Sequence, residues 1–252
     1  MTIIYEVNPP KLPKDKTLSD DERKNLLEKL NERMSEISKN CDGIHITDSV
    51  LGTKRISPLV ASKSIKKNFP DMKMTISVRV RDNDITEIEK IVNDAITLGV
   101  NGVLILKGDA SPDNTKDSGL IPSQVVKHLK ELELDKKIDL FLSLPANPDF
   151  KKIQKKIDAK PIGFITQVIE SVDQVSNLVS LLKPHGFKII PIVLFPSDKN
   201  LKSAQFLKLD WSNYEENVFD FIKKIHDLTT NVLITSPNDF NGVQKTLTKL
   251  VI

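Results

Sequence analysis

The sequence predicts a single-domain α/β fold, a (β/α)8 TIM barrel over residues 1–252, and three observations carry that expectation. Short apolar runs alternate with longer amphipathic stretches eight times, which is the rhythm of a parallel sheet covered by helices. The runs are apolar on both parities, as Gly102-Val103-Leu104-Ile105-Leu106 illustrates, and strands buried on both faces have that pattern. No Gly-x-Gly-x-x-Gly turn follows the first run, where an open dinucleotide-binding sheet would carry its phosphate loop. No Pro/Gly/Ser-rich linker, low-complexity tract or charge block marks a domain boundary either.

Taken in order, a strand over 3–8 leads to a helix over 20–39, and a strand over 43–49 to a helix ending near 69. Strand 73–81 precedes helix 84–98, strand 102–109 precedes helix 118–134, and strand 138–146 precedes helix 148–159. Strands over 163–169, 188–195 and 231–237 complete the set, each followed by a helical pattern. The stretch 200–228 is long for one unit, and Leu209-Asp210-Trp211-Ser212-Asn213 is expected to break it into two helices.

Side chains along a barrel strand alternate between the interior and the helical shell. One parity is the more polar: Glu6 with Asn8, His45 with Thr47, Thr75 with Ser77 and Arg79, Lys107 with Asp109, then Ser143, Gln167, Phe195 and Thr235. The shell must be apolar to pack, so this parity is assigned to the interior, with its later members at the C-terminal mouth where barrel active sites are built. Thr47, Ser77 and Thr235 also suit satisfied core hydroxyls, and Asp109 suits a cap for the next segment. Glu6 is harder to place in a bland role. A carboxylate inside a barrel is costly unless paired or neutral, and Arg79 or Lys107 is the expected structural partner.

Composition narrows the function classes. The 37 basic and 34 acidic residues leave a net charge of +3 with no clustered stripe, so nucleic-acid binding is not expected. The single cysteine, Cys41, has no intramolecular disulfide partner, and no Cys/His grouping has metal-ligand spacing. No signal-like opening or run of about 18 apolar residues is present, and the expectation is a cytoplasmic protein without a membrane span.

Several segments resemble the methylenetetrahydrofolate reductase family. Tyr5-Glu6-Val7-Asn8-Pro9-Pro10, with Lys11 following, is similar to its opening Phe-Glu-Phe-Phe-Pro-Pro-Lys strand. Ile46-Thr47 with the downstream Gly52-Thr53-Lys54-Arg55 resembles its Ser-Val-Thr-Tyr-Gly segment and the basic residue beyond. The run from Thr97 to Asp109 resembles its Gly-Ile-x-Asn-x-Leu-Ala-Leu-Arg-Gly-Asp strand, with Lys107 in place of arginine. Lys155-Lys156-Ile157-Asp158-Ala159, followed by Phe164-Ile165-Thr166-Gln167, is similar to its Lys-x-Asp-Ala…Phe-Ile-Thr-Gln block, and 190–195 to its seventh strand.

The resemblance implies a (β/α)8 barrel that passes a hydride from NAD(P)H, by way of FAD in the barrel mouth, to 5,10-methylenetetrahydrofolate or a related methylene-pterin. It makes Glu6 the general acid that opens the five-membered ring, and Asp109 the carboxylate beside the flavin. Thr47, Lys107, Gly108, Asp109 and Lys156 become cofactor contacts, and Gln167 and Phe195 substrate contacts. A homo-oligomer is the family's habit.

Most departures fall on flavin contacts. The family's His-Leu-Thr-Cys strand end reads Met74-Thr75-Ile76-Ser77, its tyrosine after Gly-Asp reads Ile121, and its His-Pro reads Asn147-Pro148. Its Tyr-Gly reads Asp48-Ser49, and its Leu-Asn near the eighth strand reads Ser236-Pro237. Two alternatives therefore stand beside the flavin route: direct hydride transfer from the nicotinamide, and a pterin-binding subunit that works with a partner chain. An unrelated aldolase or phosphate-binding isomerase barrel is disfavoured, because no glycine-rich loop follows the last two strands.

Overall fold

The computed structural model describes residues 1–13, 17–110 and 117–250. Its elements follow in the order β1 (Thr2–Val7), α1 (Asp20–Asn40), β2 (Gly43–Ile46), α2 (Pro58–Asn68), β3 (Lys73–Arg79), α3 (Ile85–Thr97) and β4 (Gly102–Leu106). Then come α4 (Pro122–Glu131), β5 (Asp139–Leu144), α5 (Phe150–Ile157), β6 (Gly163–Val168), α6 (Val172–Leu182) and β7 (Lys188–Leu194). The chain ends with α7 (Leu201–Leu207), α8 (Val218–Thr229), β8 (Asn231–Thr235) and α9 (Phe240–Leu250). The strands pair in sequence order and close, with β1 parallel to both β2 and β8, so the expected barrel is present. The break at 209–213 separates α7 from α8 as expected.

Local chemistry sets the helix starts. Ser19 caps α1, its Oγ accepting from Glu22 N at 3.2 Å while Ser19 N donates to the Glu22 carboxylate at 2.9 Å. Asp84 and Glu87 form the same reciprocal box on α3, and Ser171 with Gln174 does so on α6. Each box satisfies backbone N–H groups that the first helical turn leaves without partners.

Two apolar layers hold the barrel. The larger lies between strands and helices and includes Tyr5, Ile44, Ile76, Val103, Ile105, Phe164 and Val193. The smaller fills the interior with Leu104, Phe141, Ile165, Ile190 and Leu233, against which Ile4, Leu106 and Ile192 pack. The interior plug therefore occupies the lower barrel, and above it the inward positions turn polar.

This layering corrects one strand of the parity expectation. In β4 the inward residues are Leu104 and Leu106, paired in register with Ser77 and Arg79. Lys107 and Asp109 follow the alternation of Val103 and Ile105, which face the shell. The strand also ends at Leu106, and Gly108 turns the chain with φ of +83°. Phe195 is corrected likewise: Ile190 and Ile192 face inward, whereas Phe195 lies one residue past β7, buried in the layer that packs on the helices.

Candidate active site

The mouth is built around Glu6. It lies inward on β1, in register with His45 on β2, and Thr235 of β8 donates to its Oε1 at 2.7 Å. The Asn8 side chain lies beside the Glu6 carboxyl and favours its ionised form, while Asn8 Oδ1 accepts from Thr47 Oγ1 at 3.0 Å. Burial pushes the Glu6 carboxyl above the usual carboxylate range, and the Thr235 bond, the Asn8 side chain and the Arg55 charge act the other way. The outcome is a carboxyl group that keeps its proton to higher pH than a free glutamate. The cation near Glu6 is thus Arg55, from the loop after β2, and not the expected Arg79 or Lys107. Arg55 also donates to the Pro9 carbonyl at 2.6 Å, tying that loop to the one after β1.

Below and beside Glu6, His45 is almost fully buried, with Nδ1 2.8 Å from Thr75 Oγ1 and Nε2 3.0 Å from Ser77 Oγ. Burial lowers its pKa to about 4, so the imidazole is neutral, one nitrogen donating to a hydroxyl and the other accepting from one.

Two strands along from Glu6, at the end of β3, Arg79 is 3% exposed and binds loops rather than Glu6. Its guanidinium donates to the Ser49 carbonyl at 2.9 Å and to the Asp109 carbonyl, and Nε lies 2.9 Å from the Asp82 carboxylate. A Cβ on Gly108 would sit 2.5 Å from Arg79 Nε, so this position needs glycine for space as well as for its positive φ. Arg81 bonds the Gly108 carbonyl at 3.1 Å and pairs with Asp117, which also holds the Lys107 ammonium. Asp109 presents its side chain to solvent.

The remaining expected residues divide. Gln167 belongs to the inward alternation of β6 and is exposed at the mouth, next to a bulge where the register shifts between Ile165 and Val168. Lys156 lies in α5 and donates to the Ser143 carbonyl, and burial lowers its pKa. Glu6 and Thr47 are brought together; Lys107, Gly108 and Asp109 form a separate, Arg-bound rim; Lys156 and Phe195 lie outside both. Asn8 is the residue whose role the sequence reading missed. Its signal was visible, a polar side chain two positions from Glu6 where the family pattern has phenylalanine. Among the described residues no group of three or more His, Cys, Asp and Glu side chains could hold a metal ion, and no helix is long and apolar enough to cross a membrane.

A closed eight-stranded parallel barrel whose mouth carries a carboxyl with a raised pKa and a rim of paired charges defines the general class, a (β/α)8-barrel protein with a carboxyl group at its C-terminal face. Within that class the family is settled by sequence: the family model for methylenetetrahydrofolate reductase matches residues 1–227, and the chain belongs to this oxidoreductase family. None of the curated proteins matches the chain. Similar solved structures include the GH18 chitinase ChiB of Flavobacterium johnsoniae, with 12% identity and a TM-score of 0.58 over 99% of this chain and 94% of that one. Tryptophan synthase from M. tuberculosis in its aminoacrylate-bound form has 11% identity and a TM-score of 0.52, over 99% and 86% of the two chains. A protein of Aquifex aeolicus VF5 has 14% identity and a TM-score of 0.51, over 99% and 90%. At these identities the likeness is one of fold alone.

Proposed function

We propose that this chain reduces a methylene-pterin, 5,10-methylenetetrahydrofolate or a close relative, to the 5-methyl form with hydride from NAD(P)H. The observation that carries the reading is Glu6, a half-buried carboxyl in the barrel mouth whose pKa is raised by desolvation and whose neighbours Thr235 and Asn8 are in place to stabilise the anion once a proton has left. Glu6 gives its proton to the ring nitrogen that departs as the five-membered ring opens. The resulting iminium carbon accepts the hydride and becomes the methyl group. Gln167, exposed at the same mouth, is proposed to hydrogen-bond the pterin.

Membership of the family brings FAD with it, but the side chains that would hold it here are engaged elsewhere. Thr47 donates to Asn8, Lys107 pairs with Asp117, and Lys156 donates to the Ser143 carbonyl. As arranged, they do not fit a flavin cradle. These engaged donors favour the second route, in which the nicotinamide passes its hydride directly to the pterin.

The test is turnover of NADH or NADPH with methylenetetrahydrofolate, with and without added FAD, by the purified protein. Turnover by colourless protein, unchanged by FAD, is the expected result. Stoichiometric flavin in the purified protein, with activity lost on its removal, would return the assignment to the flavin route. Activity that needs a co-purifying chain would make this a pterin-binding subunit. Glu6→Gln is expected to lower methylene-pterin reduction by at least about 100-fold, the scale of a lost general acid, with nicotinamide affinity retained.

A further inference from the structure

We propose that Asn8 is the positioning residue of this site and that Thr47 acts through it: Thr47 fixes the Asn8 amide, whose nitrogen then holds the Glu6 carboxyl opposite Thr235. The direction of the chain of bonds carries this. Thr47 Oγ1 donates to Asn8 Oδ1 at 3.0 Å, so the carbonyl side of the amide is occupied and its NH2 side is the one left to face Glu6. From the other flank Thr235 Oγ1 donates to Glu6 Oε1 at 2.7 Å. Three strands' ends, β1, β2 and β8, thereby converge on one carboxyl group through neutral donors.

Two donors aimed at a carboxyl stabilise its ionised form relative to its neutral one. They oppose burial and set the pH at which the acid lets its proton go. They also fix the carboxyl plane. The charged and titratable groups around Glu6 are Arg55 from the loop after β2, His45 alongside on β2, Tyr5 on the same strand, and Arg33 of α1 across the small cleft that both Glu6 and Asn8 line. Neither Asn8 nor Thr47 carries charge, so removing them changes hydrogen bonding to Glu6 without adding or deleting a neighbouring ion. The assignment also changes what Thr47 can offer a ligand. Its hydroxyl proton is committed to Asn8, and it faces any bound molecule only as an acceptor.

The inference rests on the proposed function only for the use to which the proton is put, and the titration of Glu6 can be read without any substrate. Infrared difference spectroscopy of the carboxyl C=O stretch on the whole chain, with Glu6→Gln as assignment control, gives the midpoint directly. Asn8→Leu is expected to raise that midpoint by roughly one pH unit or more, the scale of one lost hydrogen bond to a charged group. Thr47→Val is expected to move it in the same direction, and Thr47→Ser to leave it at the wild-type value. In turnover, the alkaline limb of the pH profile follows the same order. A midpoint that stays put in Asn8→Leu overturns the assignment. So does a Thr47→Val variant whose midpoint is unchanged while its affinity for nicotinamide or flavin falls, since that is the behaviour of a cofactor contact. Should Asn8→Leu fail to accumulate, the Thr47→Val and Thr47→Ser pair decides the matter alone. A wild-type protein that reduces no methylene-pterin, with midpoints moving as described, would sink the proposed function while supporting Asn8 as the residue that positions Glu6.

Discussion

Glu6 and His45 stand side by side on adjacent strands, and burial moves both toward their neutral forms, the acid upward and the base downward. The consequences for stability have opposite signs. The imidazole shift from 6.5 to about 4 means that the unfolded chain takes up a proton the fold refuses, so stability falls as pH drops through this window, by about 3 kcal/mol at its acid end. Chemical denaturation from pH 7 to pH 4 should show that loss, and His45→Gln should show less of it. Glu6 works the other way: the fold favours its protonated form, so stability present below the ordinary carboxyl value is lost as pH rises toward the raised one. Glu6→Gln is therefore expected to be more heat-stable than wild type at alkaline pH and similar to it under acid conditions, which calorimetry across pH would show. At this scale the acid was legible, because a carboxylate on a barrel's inward parity is anomalous whatever surrounds it. Its partners were not. Arg79 shares a strand face with Ser77, yet its guanidinium reaches carbonyls in the loops after β2 and β4, contacts that no strand period encodes.

Strand beginnings were read closely, whereas strand ends were overrun. The expected 43–49 and 231–237 shorten to Gly43–Ile46 and Asn231–Thr235, because Asp48-Ser49 and Ser236-Pro237 prolong an extended-looking pattern after the ladder has stopped. Lys107, Asp109 and Phe195 were assigned to the wrong face for a different reason: the side chains at the strand's end were taken to mark the interior, whereas the period of two set by the inward Leu104 and Ile190 gives these positions the shell parity. Glycines at strand starts carry a different constraint. A Cβ at Gly163, the first residue of β6, would lie 2.3 Å from the carbonyl oxygen of Lys188 at the start of β7, its register partner. Gly163→Ala must push the two strands apart, and a loss of about 1–3 kcal/mol in urea unfolding is expected, with the mouth at the other end of the barrel little changed.

Closure makes the molecule one cooperative object. β8 pairs with β7 on one side and with β1 on the other, so removing it leaves two unsatisfied strand edges and takes the interior plug residue Leu233 away with it. A chain ended at residue 230 is expected to lose its cooperative thermal transition altogether, as circular dichroism would show, and not merely to melt at lower temperature. The fold class was legible at this scale because eight repeats of one rhythm average out errors at any single boundary. The contact between Glu6 and Thr235 joins positions 229 residues apart. A ribosome makes the acid first and its partner almost last, with roughly 10–45 s between them at ordinary elongation rates. Until β8 has emerged and docked, the Glu6 carboxyl lacks its Thr235 donor, so no partial translation product can have the finished site.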